Sequence, residues 1–207
     1  MKNKSDYNSQ FWDKVARFYT IIQERMNKSV YQHTFSIIRP LLNRSDIVFE
    51  MAAGTGQFAS VLACNVKQWI ATDFSIKMVE KLSHRVNDLS NVYVRQEDAT
   101  SVIMECDTVD VVVIANALHV MPNPSLALKE AHRILRTEGL LIAPTFLRRG
   151  RDSLLMKCYK LFGFRTFETF NEDELAILVS NNGFKVELIQ TIKGKFLPEC
   201  VMVARKL

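Results

Sequence analysis

Residues Ile47-Val48-Phe49-Glu50-Met51-Ala52-Ala53-Gly54-Thr55-Gly56-Gln57-Phe58 decide how the chain is read. An apolar run ends in a carboxylate, passes into a loop of small residues and continues into a helical pattern. That order predicts strand, tight turn, helix. Gly54 and Gly56 carry no Cβ, so the backbone there can take unusual dihedrals and a ligand can come close. The helix that follows points its unpaired N–H groups into the same space.

Two ligand classes use such a turn. Gly54-x-Gly56-x-x-Ala59 fits the relaxed dinucleotide fingerprint, and Asp73 lies 19 positions after Gly54, near the expected ribose-binding acid. Glu50-x-Ala52-x-Gly54-x-Gly56 reads instead as an acid followed by small residues at alternate positions. Glu50 separates the two readings. A carboxylate at a strand tip would repel a pyrophosphate, which wants N–H donors and positive dipole. It suits a ligand with a cationic amine and a sulfonium, namely S-adenosylmethionine. A glycine turn with no ligand is the third reading.

With these residues in view, the chain resembles class I S-adenosylmethionine-dependent methyltransferases of the small ubiquinone/menaquinone-methyltransferase-like (methyltransferase type 11) family. The resemblance covers nearly the whole chain. It departs at Ala52, which stands where the family usually has its first glycine. It implies a Rossmann-like α/β fold with a seven-stranded, mostly parallel sheet flanked by helices. It also implies S-adenosylmethionine as cofactor, S-adenosylhomocysteine as product, and Glu50, Ala52, Gly54, Thr55 and Gly56 as a cofactor loop.

At 207 residues with a 48% apolar fraction, one domain with a substantial core is expected. No apolar run of ~18 residues is present, so no transmembrane helix is expected. No apolar stretch of signal-peptide type follows Met1-Lys2-Asn3-Lys4, so a cytoplasmic protein is expected, with peripheral membrane contact left open. Cys64, Cys106, Cys158 and Cys200 are scattered, which argues for reduced thiols rather than a disulfide framework or a metal site. The net charge of +5 permits an anionic partner without demanding one.

Phe11, Trp12, Val15, Phe18 and Tyr19 follow at helical spacing. Such stripes pack on cores. The resemblance adds that residues 1–42 form a helical lid over the cofactor, with Tyr19 near its methionine part. Residues 28–42 read as a second helix, stopped or kinked by Pro40. Residues 68–72 form a strand ending at Asp73, which either binds a ribose diol or caps the next helix. The resemblance places Phe74 and Met78 beside the adenine, although Met78 also fits the core face Met78, Val79, Leu82, Val86, Leu89. By the same resemblance Asp98 and Ala99 take the exocyclic amine and a ring nitrogen.

Asp110 to Ile114 is a strand buried on both faces. It opens into Asn116-Ala117-Leu118-His119, the segment that lies beside the reactive methyl in the family. Asn116 and Ala117 are therefore candidate cofactor residues. His119 is the candidate general base, because its pKa can sit near neutral pH; a packed histidine is the alternative. Asn123 and Pro124 start a helix, with Gly139 past its end and a strand over 140–143. Asn171 begins a capping box, Gly183 ends that helix, and 184–188 with 200–203 form an antiparallel pair.

Between 147 and 165, Arg148, Arg149, Arg151, Lys157, Lys160 and Arg165 interleave with apolar residues. This is a helix with one wet face, or an amphipathic cap for an anionic membrane or an acidic or lipid-like substrate. The expected organisation is one methyltransferase domain over 1–207: lid 1–42, cofactor core 43–146, cap 147–170, and a C-terminal helix and strand pair 171–207.

Other chemistries lack their residues. There is no Asn/Asp-Pro-Pro-aromatic motif for adenine methylation and no Pro-Cys pair for cytosine methylation. No RNA-binding signature is present. A Tyr-x-x-x-Lys pair for short-chain dehydrogenase chemistry is absent too. A small-molecule methyl acceptor is expected, as monomer or homodimer, without nucleic acid. A quinone or lipid acceptor, a nucleotide-dependent oxidoreductase and a non-catalytic cofactor-binding protein are the alternatives.

Overall fold

Five parallel strands form the half of the sheet that positions the site. The computed structural model describes residues 27–148, 169–194 and 197–207. The strands are β1 (Ile47–Glu50), β2 (Gln68–Asp73), β3 (Val92–Gln96), β4 (Val109–Val113) and β5 (Leu135–Ile142), followed by β6 (Thr145–Phe146), β7 (Phe184–Ile192) and β8 (Glu199–Lys206). They lie in the order β3-β2-β1-β4-β5-β8-β6, with β7 paired to β8. Strands β1 to β5 pair in parallel; β8 runs antiparallel to β5, β6 and β7. Strands β5 and β6 line the same edge of β8 and are separated by Ala143 and Pro144. Counted as one interrupted strand, they give the expected seven.

Helices cover both faces. Residues 27–38 form α1. It is followed by α2 (Gln57–Leu62), α3 (Ile76–Arg85), α4 (Pro124–Ile134) and α5 (Glu172–Ser180). The period-2 alternation of the strands assigns side chains to the two layers. Val48, Val111, Val113, Val201 and Val203 pack with residues of α1, α2 and α3. Phe49, Val112, Cys200, Met202 and Ala204 pack with residues of α4 and α5. No helix among the described residues is long and apolar enough to cross a membrane.

Several boundaries differ from the sequence reading. Helix α4 passes directly into β5 at Leu135, five residues before the expected strand. Gly139 therefore lies inside the strand. A Cβ there would meet the Arg136 carbonyl oxygen at 2.8 Å and that of Asp110 at 3.1 Å. Glu138 beside it has φ 63°, and the register with β4 shifts between Val109 and Val111. Glycine here marks an irregular strand, not a helix end. Helix α2 stops at Leu62 and continues as a 3-10 turn over Ala63–Asn65. Asn171 and Glu174 form the complete capping box, but Asn181 holds the cap position at the other end. Gly183, with φ 89°, makes the left-handed turn into β7 two residues later.

Candidate active site

The carboxyl ends of β1, β2 and β4, with the loop that follows β3, open onto one cavity of about 320 Å³. Open α/β sheets place ligand sites at this edge, and the volume falls in the range of small-molecule pockets. Glu50, Ala52, Gly54, Asp73, Phe74, Met78, Asp98, Ala99, Asn116 and Ala117, all singled out from the sequence, line it.

The turn after β1 explains its small residues. Ala52 has φ 52°, Gly54 φ 57° and Gly56 φ 81°. Ala52 thus holds a left-handed backbone that a glycine would hold without strain. A Cβ on Gly54 would meet nothing within 4 Å, so it would project into open space. A Cβ on Gly56 would strike Leu82 Cδ1 at 2.4 Å. Gly56 and Thr55 do not line the cavity. Gly56 acts by turning the chain into α2 against α3, as its N-cap in left-handed conformation.

Glu50 is buried at the tip of β1. Its Oε2 accepts from Trp69 Nε1 at 2.7 Å. Burial pushes its carboxyl from the ordinary 4.5 up to about 8; the indole opposes this and the charge of Asp73 adds to it. Asp73 does not cap α3. Ser75 is the cap, its side chain accepting from the Met78 N–H. Asp73 instead accepts from Gly54 N–H on Oδ2 at 2.8 Å and from Ser75 N–H on Oδ1 at 2.9 Å. The glycine turn and the acid of the second strand are thereby locked together.

Beyond β3, Asp98 Oδ1 accepts from the backbone N–H of Thr100 at 2.8 Å and from its hydroxyl at 2.7 Å. Ala99 is buried behind it. Asn123 occupies the N-cap position of α4, with Pro124 following, yet its side chain makes no capping bond. It lines the cavity instead.

Tyr31, Gln57, Phe58 and Glu199 are among the residues at this edge that the sequence reading did not assign to the site. Tyr31, Gln57 and Phe58 line the cavity. Tyr31 and Phe58 pack edge to face at 6.1 Å, which ties α1 to α2. Gln57 Nε2 is buried without a hydrogen-bond partner among the described residues. Glu199, the first residue of β8, is fully buried behind Asn116. Its Oε1 accepts from Asn116 Nδ2 at 2.6 Å, and its Oε2 accepts from the Thr34 hydroxyl. Burial raises its pKa, against the two donors. Asn116 has φ 53°, and its backbone N–H donates to the Pro144 carbonyl oxygen at 2.7 Å. Its Oδ1 is buried and unpartnered among the described residues.

His119 is buried on the 3-10 turn Leu118–Val120 and is not among the residues that line the cavity. Its ring meets Phe146 edge to face at 6.4 Å. Burial lowers its pKa to about 4, so the imidazole is neutral near pH 7. Tyr19 and most of the basic stretch 147–165 lie outside the described residues. At the base of that stretch, Leu147 and Phe170 are buried, and Arg148 N–H donates to the Phe170 carbonyl oxygen at 2.8 Å.

A parallel run with one antiparallel strand, β8, inserted between β5 and β7, and a cavity at the carboxyl edge, is the class I methyltransferase architecture. Residues 49–143 match the methyltransferase domain family. It is 33% identical over 137 residues to a demethylmenaquinone methyltransferase of Chlamydia muridarum, covering 63% of this chain and 57% of the relative. It is 26% identical over 147 residues to a malonyl-[acyl-carrier protein] O-methyltransferase of Marinomonas sp., covering 70% of this chain and 51% of the relative. The chain thus spans about half the length of these curated relatives. Among solved structures, it superposes on a candidate methyltransferase in complex with the Haloferax volcanii methyltransferase activator Trm112. The TM-score is 0.78 at 15% identity, over 94% of this chain and 96% of that one, a likeness of fold.

Proposed function

We propose that the protein binds S-adenosylmethionine in this cavity and transfers its methyl group to a small-molecule acceptor by in-line displacement. The observation that carries the reading is the polarity of the lining. Asp73 offers a carboxylate, and Glu50 a buried carboxyl that a bound cation would ionise, where a pyrophosphate would need donors. Two buried orphan atoms, the Gln57 Nε2 donor and the Asn116 Oδ1 acceptor, suit the carboxylate and the ammonium of an amino-acid arm. A Cβ at Gly54 would fill the space such a ligand needs.

When bound, the cofactor supplies a methyl group on a cationic sulfur that carries its own leaving group. The chain's residues bind and orient. Both oxygens of Asp73 are fixed by backbone N–H groups, which holds the carboxylate at the cavity edge where it would receive a ribose diol. Asp98 would hold the exocyclic amine and the Ala99 N–H a ring nitrogen. Phe74 and Met78 would pack on the adenine, and Glu50 would face the cationic arm. Orientation of this kind supplies up to ~7–11 kcal/mol in favourable cases. No base is required where the nucleophile arrives ionised or acidic, and no histidine lines the cavity among the described residues.

A second reading concerns the acceptor. Val120, Met121, Pro122 and Leu126 make the wall beyond Asn116 apolar. That wall favours an apolar acceptor such as a quinone or lipid, met at a membrane surface by the basic stretch 147–165. Calorimetric titration of S-adenosylmethionine and NADH side by side tests the cofactor. Binding of the first and not of the second is expected; the reverse would make the protein a nucleotide-dependent oxidoreductase. Methyl-tritiated S-adenosylmethionine with an extract of the source cells tests turnover. Enzyme-dependent label in the organic phase supports the apolar acceptor, label in the aqueous phase a polar one. Tight binding with no label in either would leave a non-catalytic cofactor-binding protein. Equal sedimentation with neutral and anionic vesicles, or none with either, would sink the membrane contact.

A further inference from the structure

We infer that Glu199 is a positioning residue that fixes which end of the Asn116 amide faces the cavity, and so makes this wall a receptor for a cationic amine. The inference rests on the cofactor reading above and extends it to a residue on the last strand.

An amide side chain offers two donors at one end and an acceptor at the other, and turning it over costs little unless a partner distinguishes the ends. Glu199 distinguishes them. A carboxylate oxygen accepts at 2.6 Å from Asn116 Nδ2, so the nitrogen is committed to the protein interior. The carboxyl is itself held on its other oxygen by the Thr34 hydroxyl from α1. The Asn116 backbone is pinned by its own N–H bond to the Pro144 carbonyl oxygen. The residue is 8% exposed and lines the cavity, and Oδ1 is its unpartnered atom. A buried acceptor left without a donor is costly to the free protein and is relieved by a ligand that donates.

The donor that fits is cationic. Glu50 lines the same cavity, one strand over from β4, and a cation bound there would hold its carboxyl ionised. Within the proposed cofactor, the α-ammonium of the methionine arm is an N–H donor of that charge. Without Glu199 the amide can turn and present its NH₂ group, which repels an ammonium and leaves it unpaired.

The test uses isothermal titration with two probes: S-adenosylhomocysteine, and its deaminated analogue in which hydrogen replaces the α-amino group. Glu199→Leu removes the acceptor for Nδ2; Glu199→Gln keeps a carbonyl oxygen to receive it. Asn116→Gly removes the amide and suits the left-handed backbone. The Leu variant is expected to bind S-adenosylhomocysteine about tenfold more weakly or worse, the scale of a hydrogen bond to a charged group. Its affinity for the deaminated analogue is expected to stay within twofold, which also shows that it is folded. Glu199→Gln is expected to remain within about threefold of wild type for both probes, on the same scale. In the Asn116→Gly background, adding Glu199→Leu is expected to change nothing further, because Glu199 acts through the amide. Equal losses for both probes, no change in their ratio, or additive losses with Asn116→Gly would overturn the assignment. Where Glu199→Leu fails to fold, the probe ratio in Asn116→Gly and its rescue in Glu199→Gln decide the matter. If wild-type protein binds neither probe, the cofactor reading itself fails; if it binds both and the ratio ignores Glu199, only this inference does.

Discussion

Replacing Glu50 with Gln should make the protein more stable at alkaline pH and worse at binding its ligand. The carboxyl is buried, with its pKa raised from 4.5 to about 8, chiefly by burial. A raised folded-state pKa means that the fold prefers the protonated acid. Its stabilising contribution is full below pH 4.5 and is lost as pH rises through about 8. The span between those values corresponds to a loss on the order of 5 kcal/mol across the window. Gln is a neutral near-isostere whose carbonyl oxygen can keep the bond from Trp69 Nε1, so it escapes that loss. Urea unfolding of wild type and E50Q at pH 5 and pH 9 should show near-equal stability at the lower pH. At the higher pH the variant should gain at least ~2 kcal/mol relative to wild type, allowing for relaxation around a buried charge. Ligand binding should run the other way. A cationic ligand favours ionised Glu50, so wild-type affinity for S-adenosylmethionine should rise with pH up to about 8 and flatten above it. At pH 8.5 the E50Q variant should bind at least ~10-fold more weakly, the loss of one buried charge–charge contact. Parallel stability profiles for the two proteins, or wild-type affinity that falls with pH, would refute the reasoning.

Three further substitutions probe the turn and the histidine. Ala52→Gly should stabilise the fold modestly, because a left-handed alanine costs ~1–2 kcal/mol and the added glycine entropy returns ~0.5–1 kcal/mol of that; a rise in thermal midpoint with S-adenosylhomocysteine affinity undiminished is the expected result. Gly56→Ala should cost ~2 kcal/mol or more through backbone strain and overpacking, since φ is 81° and Leu82 Cδ1 lies 2.4 Å from the new Cβ; ligand affinity of the folded fraction, read by calorimetry well below the melting range, should be unchanged. His119 has its pKa lowered from 6.5 to about 4, so it favours the fold above pH 6.5 and loses that contribution as pH falls through 4. His119→Phe should therefore flatten the decline of stability over that window, by ~3 kcal/mol at most, and label transfer should stay within a few-fold of wild type.

What the sequence made legible was local. The strand, glycine turn and helix around Glu50 to Phe58 announce themselves within a dozen residues, and the capping box of Asn171 and Glu174 spans four. The acids at the strand tips, Glu50 and Asp73, could be placed because strand ends follow from apolar runs. Their partners could not. Trp69 reaches Glu50 across the β1–β2 pairing from its place opposite Val48, and that register is a property of the assembled sheet. Gly54 and Gly56 look alike in sequence, yet one faces open space and the other faces Leu82. Only the packing of α3 separates them. Glu199 is the clearest case, since it comes 83 positions after Asn116. One signal pointed to it: a carboxylate heads the apolar strand Cys200-Val201-Met202-Val203, and a carboxylate on a buried strand needs donors. Sequence can say that such a residue must be paired, but the topology chooses the pair. Because β8 inserts between β5 and β7, its first residue is delivered behind the loop after β4, beside Thr34 of the N-terminal helix. The carboxyl that chain order places farthest from the glycine turn is therefore the one that holds the amide at its mouth.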